Sequence, residues 1–210
     1  MFKDRTEAGK LLVSAISKYN LSNAIVLAIP RGGVVVAAEI SKAYKLPLRL
    51  IFVKKVGHPN NPEFSIGAIG QDENQIELDS DFTQNEIVDQ LRNARSKMQK
   101  QFRTYGHVYS DRNLKDKVVL LVDDGAATGN SILFSIKELK KIPVKTIVVL
   151  LPVCPADTFN KIAQIADDLV CLEVPVNFNA VGQFYEDFQQ VADDEVLKIV
   201  KTYSDRNKKG

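Results

Sequence analysis

The chain has 210 residues, of which 45% are hydrophobic and 26% are charged, with 11 glycines and 8 prolines. This composition is that of an ordinary globular domain and excludes a collagen-like, low-complexity or largely disordered chain. The 28 basic and 26 acidic side chains leave a formal net charge of +2, so no global field would draw the chain to nucleic acid or to an anionic membrane. We therefore expect no nucleic-acid or membrane partner.

The N-terminal residues predict a helix rather than a targeting segment. Asp4 and Glu7 have the spacing of a capping box, and apolar residues then recur at helical spacing, which predicts a helix over residues 5–19. The charged start lacks the apolar run and small-residue cleavage site of a signal peptide. No stretch approaches the roughly 18 apolar residues of a spanning helix. We therefore expect a cytoplasmic protein.

The rest of the chain alternates apolar strands with helices. Strands are predicted at residues 24–29, 48–53, 118–122, 146–151 and 169–174, and helices near residues 34–44, 85–104, 130–141 and 156–166. This alternation predicts an α/β fold, a doubly wound and mainly parallel sheet flanked by helices, in a single domain of residues 1–210. Ligands of such sheets bind beyond the carboxyl ends of the strands.

Two segments interrupt the alternation. Residues 54–70 form a long connection rich in Gly, Pro and Asn, and long connections without secondary structure are usually functional lids or disordered segments. Residues 175–190 lie beyond the last strand, and their aromatic residues and prolines indicate a small cap over the crevice.

The segment from Val118 to Ser131 carries the sharpest chemical signal. A buried strand delivers Asp123 and Asp124 to its carboxyl end, and a loop of small residues then leads into a helix. Thr128, Ser131 and successive backbone N–H groups would face an anion at the helix N-terminus. The lysine of a P-loop and the glycines of a dinucleotide fingerprint are absent. An ordinary strand-turn-helix junction is the alternative.

This run resembles the phosphoribosyl pyrophosphate (PRPP) signature of the type I phosphoribosyltransferases. The resemblance implies that Asp123 and Asp124 bind the ribose hydroxyls and, mainly through those hydroxyls or water, a Mg²⁺ ion. It also implies a loop for the 5′-phosphate, formed by Ala126, Ala127, Thr128, Gly129, Asn130 and Ser131.

The motif Pro30-Arg31-Gly32-Gly33 resembles the pyrophosphate loop of the same family. Its two glycines let backbone N–H groups approach an anion closely, and Arg31 can add a charge-assisted contact. The resemblance also implies a cis peptide bond between Pro30 and Arg31. Read alone, the motif fits a plain turn equally well.

Residues 54–70 resemble the mobile catalytic loop that covers PRPP in these enzymes. The resemblance implies that Lys54 and Lys55 neutralise the departing pyrophosphate, with a solvated pair at a strand end as the alternative. The resemblance also places Glu63 among the catalytic residues, and it does not define a role for His58.

Residues 174–190 resemble the hood that receives the nucleobase. Phe178, Val181-Gly182 and Asp187-Phe188 follow the family's order, with spacing that differs by a residue on either side of Gly182. The resemblance implies that Phe178, Val181 and Asp187 bind a planar nitrogen acceptor. Aromatic residues that simply pack the cap are the alternative.

Together the motifs predict a Mg²⁺-dependent phosphoribosyltransferase that moves ribose 5-phosphate from PRPP to a nitrogen of a nucleobase or related acceptor, with release of pyrophosphate. Two alternatives are a non-catalytic PRPP- or nucleotide-binding regulator of the same fold and a metal-dependent phosphatase. Arg31 and the segment after the second strand favour the enzyme, because a regulator has less need to stabilise leaving pyrophosphate. The Thr-Gly-x-Ser loop disfavours the phosphatase.

The remaining features concern the thiols and one charged helix face. Cys154 and Cys171 form no C-x-x-C pair, so two structural thiols in a reducing compartment are expected rather than a disulfide framework or a zinc cluster.

A basic stripe on the helix before the third strand is interpreted as a solvated face or a subunit contact, which leaves a homodimer open. Its residues are Arg92, Arg95, Lys97, Lys100 and Arg103.

Overall fold

The computed structural model describes residues 1–70, 76–78, 82–83, 85–106 and 113–204, except the side chains of residues 62–65 and 77. The described helices are α1 (Arg5–Ala15), α2 (Gly32–Tyr44), α3 (Val88–Tyr105), α4 (Asn130–Lys140), α5 (Ala156–Ala163) and α6 (Asp193–Ser204). The described strands are β1 (Ala24–Ala28), β2 (Leu48–Leu50), β3 (Lys54–His58), β4 (Asn61–Ile69), β5 (Ile76–Leu78), β6 (Val118–Val122), β7 (Thr146–Val153) and β8 (Asp168–Glu173). None of these helices is long and apolar enough to cross a membrane.

A parallel sheet of five strands forms the centre of the molecule, in the order β2-β1-β6-β7-β8. Every residue of β1 and β6 is buried, because helices cover both faces of the sheet. On one face Val26 packs in a core with residues of α1, α2 and α6, and on the other Leu27 packs with residues of α4 and α5. The predicted α/β class is confirmed.

The helices around the main sheet and its strands lie close to their predicted positions, and the structure adds the helix α6. β6 has the predicted bounds, and α1 ends at Ala15 instead of residue 19. The side chain of Asp4 caps α1 by accepting a hydrogen bond from the Glu7 N–H at 2.7 Å. α6 was not predicted, although the three acidic residues of its first turn are a typical helix-start signal. Its buried Val196 and Val200 join the core.

The expectation of a long connection without secondary structure at residues 54–70 is wrong. β3 pairs with β4, and β4 with β5, in a second, antiparallel sheet. Val56, Ile66 and Ile69 are buried and join the same core as residues of α3. Gly57 lies between two shifts of the strand register. The Gly, Pro and Asn residues thus belong to a tight turn and an irregular ladder, which composition alone does not distinguish from a loop.

The cap at residues 174–190 contains a short 3-10 helix at Val181–Phe184 and pairs with the N-terminal residues. The Phe2 N–H donates to the Phe184 carbonyl at 2.7 Å, and the Glu186 N–H donates to the Phe2 carbonyl at 2.8 Å. The rings of Phe2 and Tyr185 lie 5.3 Å apart. The cap is therefore built from two distant parts of the chain and fixed over the carboxyl edge of the sheet.

Candidate active site

Two adjacent carboxylates lie at the centre of the carboxyl edge, because β6 runs between β1 and β7. The Asp124 N–H donates to Oδ1 of Asp123 at 2.9 Å. The pKa of Asp123 is raised for two reasons. Protein atoms surround most of its carboxyl, which disfavours the charged form, and the negative charge of Asp124 lies beside it. A cation or hydroxyl donors placed at this pair would therefore relieve an unfavourable charge.

Arg5 compensates one of the two carboxylates. Its Nε donates to Oδ2 of Asp124 at 2.7 Å, and the two side chains are only 11% and 16% exposed. The guanidinium carbon lies 3.8 Å from the centre of the Phe188 ring, and Nη1 donates to the Gln189 carbonyl at 2.8 Å. Arg5 thus connects α1, the acidic pair and the cap. The sequence around Arg5 gives no signal for this pairing, because nothing local relates position 5 to position 124.

The predicted 5′-phosphate loop follows Gly125, whose φ is +148°, and turns at Gly129, whose φ is +72°. Gly129 is the residue before α4, so the loop ends at a helix N-terminus as predicted. The Ala126 N–H donates to the Val153 carbonyl at 3.0 Å, which ties the start of the loop to the end of β7. Thr158 of α5 supports the loop, since its hydroxyl donates to the Ala127 carbonyl at 2.6 Å.

The glycines of the predicted pyrophosphate loop pack directly against the acidic pair. A Cβ at Gly32 would lie 1.8 Å from Oδ2 of Asp124, and a Cβ at Gly33 would lie 2.9 Å from Cα of Asp123. Only glycine fits at these contacts, so the two loops form one site. The Pro30–Arg31 peptide bond is cis, as the resemblance implied.

Lys54 and Lys97 lie close to Arg31 of the pyrophosphate loop. Burial lowers the pKa of Lys54, and the positive charges of Lys97 and Arg31 lower it further. Asp193 of α6 lies 3.5 Å from Nη1 of Arg31 and also accepts a hydrogen bond from the Tyr105 hydroxyl. The sequence pattern indicates for Lys97 only a solvated face or a subunit contact, and its proximity to Lys54 becomes visible once α3 packs on β3.

The remaining residues of the predicted catalytic loop are placed differently. Successive side chains of a strand point to opposite sides, so Lys54 and Lys55 cannot both face Arg31. Lys55 and His58 instead line a cavity shared with Asp89 and Lys97. Glu63 lies on β4, and its side chain is outside the described part of the chain.

The cap covers the acidic pair as the hood prediction required. A Cβ at Gly125 would lie 2.5 Å from Cγ1 of Val181, and the Tyr185 hydroxyl donates to the Asp124 carbonyl at 2.6 Å. Phe178 stacks on Phe184 with ring centres 5.4 Å apart. Asp187 is exposed, and its Oδ1 accepts a hydrogen bond from the Gln189 N–H at 3.1 Å. Val181 is thus beside Gly125, the residue that follows the acidic pair, whereas Asp187 stabilises a local turn.

Comparison with known proteins assigns this sheet and its loops to one class, the phosphoribosyltransferases. Residues 4–189 match the model of the phosphoribosyl transferase domain family, and the chain belongs to that family.

Two relatives illustrate the range of the match. Rv0571c of Mycobacterium tuberculosis, provisionally named as a phosphoribosyl transferase, is 32% identical over 206 residues, which cover 95% of this chain and 46% of that protein. The chain thus spans about half the length of the curated relatives it matches. The crystal structure of TT1426 from Thermus thermophilus is similar with a TM-score of 0.85 and 34% identity, covering 97% of this chain and 99% of that one.

A more distant structure shares the fold alone. The AQ2163 protein from Aquifex aeolicus has a TM-score of 0.54 and 12% identity, covering 85% of this chain and 76% of that one.

Proposed function

We propose that this domain binds PRPP with Mg²⁺ and transfers ribose 5-phosphate to a planar nitrogen acceptor, with release of pyrophosphate. One observation carries the proposal. Gly32 and Gly33 lie so close to Asp124 and Asp123 that no Cβ fits between them, and so an anion loop and a pair of hydroxyl-binding carboxylates form one surface. PRPP joins a pyrophosphate to a ribose ring, which is the combination this surface would bind.

The donor set is compatible with Mg²⁺. Carboxylate and hydroxyl oxygens are the ligands this ion prefers, and Arg5 pairs with only one of the two adjacent carboxylates. Asp123 and Asp124 would hold the ion, mainly through ribose hydroxyls or water. When bound, the ion would supply positive charge to the pyrophosphate and ribose oxygens.

The protein's own residues would provide three further functions. The loop that ends at Gly129 holds the 5′-phosphate with backbone N–H groups at the start of α4. Arg31 and Lys54 stabilise negative charge on the departing pyrophosphate, and protonation of Lys54 becomes more favourable once an anion is bound. The cap, held on Asp124 by Tyr185, limits the access of water to the reacting carbon.

The experiment is a measurement of pyrophosphate release with PRPP, Mg²⁺ and a panel of purines, pyrimidines and simple amines. Release with at least one planar nitrogen base, and with none of the amines, supports the transferase. PRPP binding by calorimetry without release for any base would favour the regulatory alternative. Absence of PRPP binding would contradict both.

Phe178 provides a test of the acceptor site. Phe178→Ala is expected to lower turnover of every accepted base by similar factors of about tenfold, because stacking on an aromatic ring contributes about 1–3 kcal/mol and does not depend on base identity. PRPP affinity should not change. Phe159→Ala, a partly buried phenylalanine of α5 that packs in the other core, is the matched control. Unchanged base use in Phe178→Ala would contradict the assignment.

A further inference from the structure

The two cysteines of the chain are neighbours in space, although 16 residues separate them in sequence. Cys154 follows the end of β7, and Cys171 lies on β8 at the edge of the main sheet. Their sulfur atoms are 3.5 Å apart and both thiols are free. A disulfide bond requires a sulfur separation of about 2.05 Å, so a displacement of about 1.5 Å would join them.

The two thiols differ in ways that suit oxidation in two steps. Cys171 is partly exposed on the edge strand, whereas Cys154 is fully buried. The hydrogen bond between the two thiols lowers the pKa of Cys171 and raises that of Cys154. A partly exposed thiol with a lowered pKa beside a second, resolving thiol is the arrangement of redox-sensitive cysteine pairs.

Cys154 is also close in sequence to two residues that support the phosphate loop. The preceding residue, Val153, accepts the hydrogen bond from the Ala126 N–H at 3.0 Å. Four residues after Cys154, the Thr158 hydroxyl donates to the Ala127 carbonyl at 2.6 Å. A displacement of Cys154 toward β8 would therefore act on both hydrogen bonds that hold the start of this loop.

We propose that Cys154 and Cys171 are a site of reversible disulfide formation by peroxide, and that closing the disulfide loosens the loop at residues 126–131. Disulfide formation does not depend on the ligand of the domain. The interpretation of the loosened loop as control of PRPP binding rests on the proposed function.

The chemistry balances with hydrogen peroxide as the oxidant. The Cys171 thiolate attacks one peroxide oxygen, the O–O bond breaks, and the leaving hydroxide takes a proton to become water, which leaves a sulfenic acid. The Cys154 sulfur then attacks the Cys171 sulfur; the S–S bond forms, the S–O bond breaks, and a second water leaves with the Cys154 proton. Two thiols lose two electrons in total, and an added dithiol returns them.

The first experiment maps the disulfide in the full chain. After treatment with stoichiometric peroxide, peptide mass spectrometry without reductant should show Cys154 joined to Cys171 within one chain, and dithiothreitol should restore both thiols. Cys171→Ser should retain an unreacted Cys154 thiol, because that side chain is buried. Cys154→Ser, or Cys154→Ala if the serine variant is unstable, should accumulate a sulfenic acid at Cys171 that dimedone traps. Separate overoxidation of the two residues in the wild type, or disulfides only between chains, would overturn the proposal.

The second experiment measures the coupling without any ligand. Amide hydrogen exchange at residues 126–131 should become about tenfold faster in the oxidised wild type, and peroxide-treated Cys171→Ser should exchange as the reduced protein does. Unchanged exchange in a protein with a mapped disulfide would overturn the coupling. PRPP affinity of the reduced protein is a separate measurement, and its failure would count against the proposed function and not against the disulfide.

Discussion

The residues of the site constrain one another through direct contact. Asp124 illustrates this, because its carboxylate is paired with Arg5, its backbone carbonyl accepts from Tyr185, and its Oδ2 leaves no room for a side chain at position 32. Arg5 and Gly32 thus fix the carboxylate of Asp124, and Tyr185 fixes its backbone, before any ligand arrives. Preorganisation of this kind lowers the cost of binding.

Gly129→Ala tests the conformation of the phosphate loop. We expect a loss of about 1–2 kcal/mol in the free energy of unfolding, because the left-handed conformation is unfavourable for a residue with Cβ and because the new Cβ would press on the Thr158 methyl group. We also expect a loss of PRPP affinity. Urea denaturation and calorimetry measure the two effects. Adding Thr158→Ser removes the methyl group that the new Cβ would approach to 2.8 Å and retains the hydroxyl, so part of the stability should return. No recovery would contradict the steric explanation.

Arg5→Ala tests the compensation of Asp124. We expect the free energy of unfolding to fall by about 2 kcal/mol, because removing one partner of a largely buried pair leaves the other charge uncompensated. Arg92→Ala is the control, since Arg92 and Asp89 are 2.9 Å apart but 74% and 83% exposed. That change should cost less than about 0.5 kcal/mol. Equal effects of the two variants in urea denaturation would contradict a special role of Arg5.

At the scale of elements, the β3–β4 hairpin brings cations to the pyrophosphate loop. Lys54 is half-buried at the start of β3, beside Lys97 of α3 and Arg31 before α2. The positive charges of Lys97 and Arg31 repel that of Lys54, and this repulsion destabilises the folded protein when no anionic ligand is bound. Lys54 thus lies in a paired strand, although the sequence predicted a connection without secondary structure at this position.

Lys54→Met is expected to stabilise the protein at neutral pH and to weaken pyrophosphate binding about tenfold, the usual effect of losing one charge-assisted contact. The folded protein lowers the pKa of Lys54 below 10.5, so the folded state binds fewer protons than the unfolded state between the two pKa values. The stability of the wild type therefore rises with pH in that window, and the advantage of the variant shrinks.

Lys55→Met is the matched control for this lysine. The Lys55 side chain lies on the side of β3 opposite to Lys54, so the change should leave pyrophosphate binding, measured by calorimetry, unaltered. A stability difference between wild type and Lys54→Met that is independent of pH from neutrality to pH 10 would contradict the explanation.

At the scale of the whole molecule, the cap depends on both the N-terminal residues and residues 174–190. Phe2→Ala is expected to lower the free energy of unfolding by about 3 kcal/mol, because Phe2 is 3% exposed and packs with Tyr185 in the small apolar cluster beneath the cap. Leu11→Ala, at a residue 46% exposed, should change stability by less than about 0.5 kcal/mol. Faster hydrogen exchange at residues 181–188 in Phe2→Ala alone would locate the effect in the cap, and equal exchange in both variants would contradict it.

The sequence by itself determined the elements whose signals are local. The uniformly apolar runs at β1 and β6 identified strands covered on both faces, and the order of Asp123, Asp124 and the small-residue loop indicated the site at the edge of the sheet. The cis bond at Pro30–Arg31 followed from the resemblance of a four-residue motif. The misread hairpin shows the limit of local signals, because the antiparallel pairing of Val56 with Gly67 depends on a partner strand and not on turn residues.

Only the tertiary structure decided which distant residues complete the site. Arg5 reaches Asp124 across 119 positions, Lys97 approaches Lys54 when α3 packs on β3, and Phe2 supports the cap over the acidic pair. The two cysteines become neighbours because parallel pairing aligns β7 with β8. A period of 2 or 3.6 residues specifies which face of an element is buried. It carries no information about which charges from other elements meet at the edge of the sheet, because those distances are set by how the layers pack.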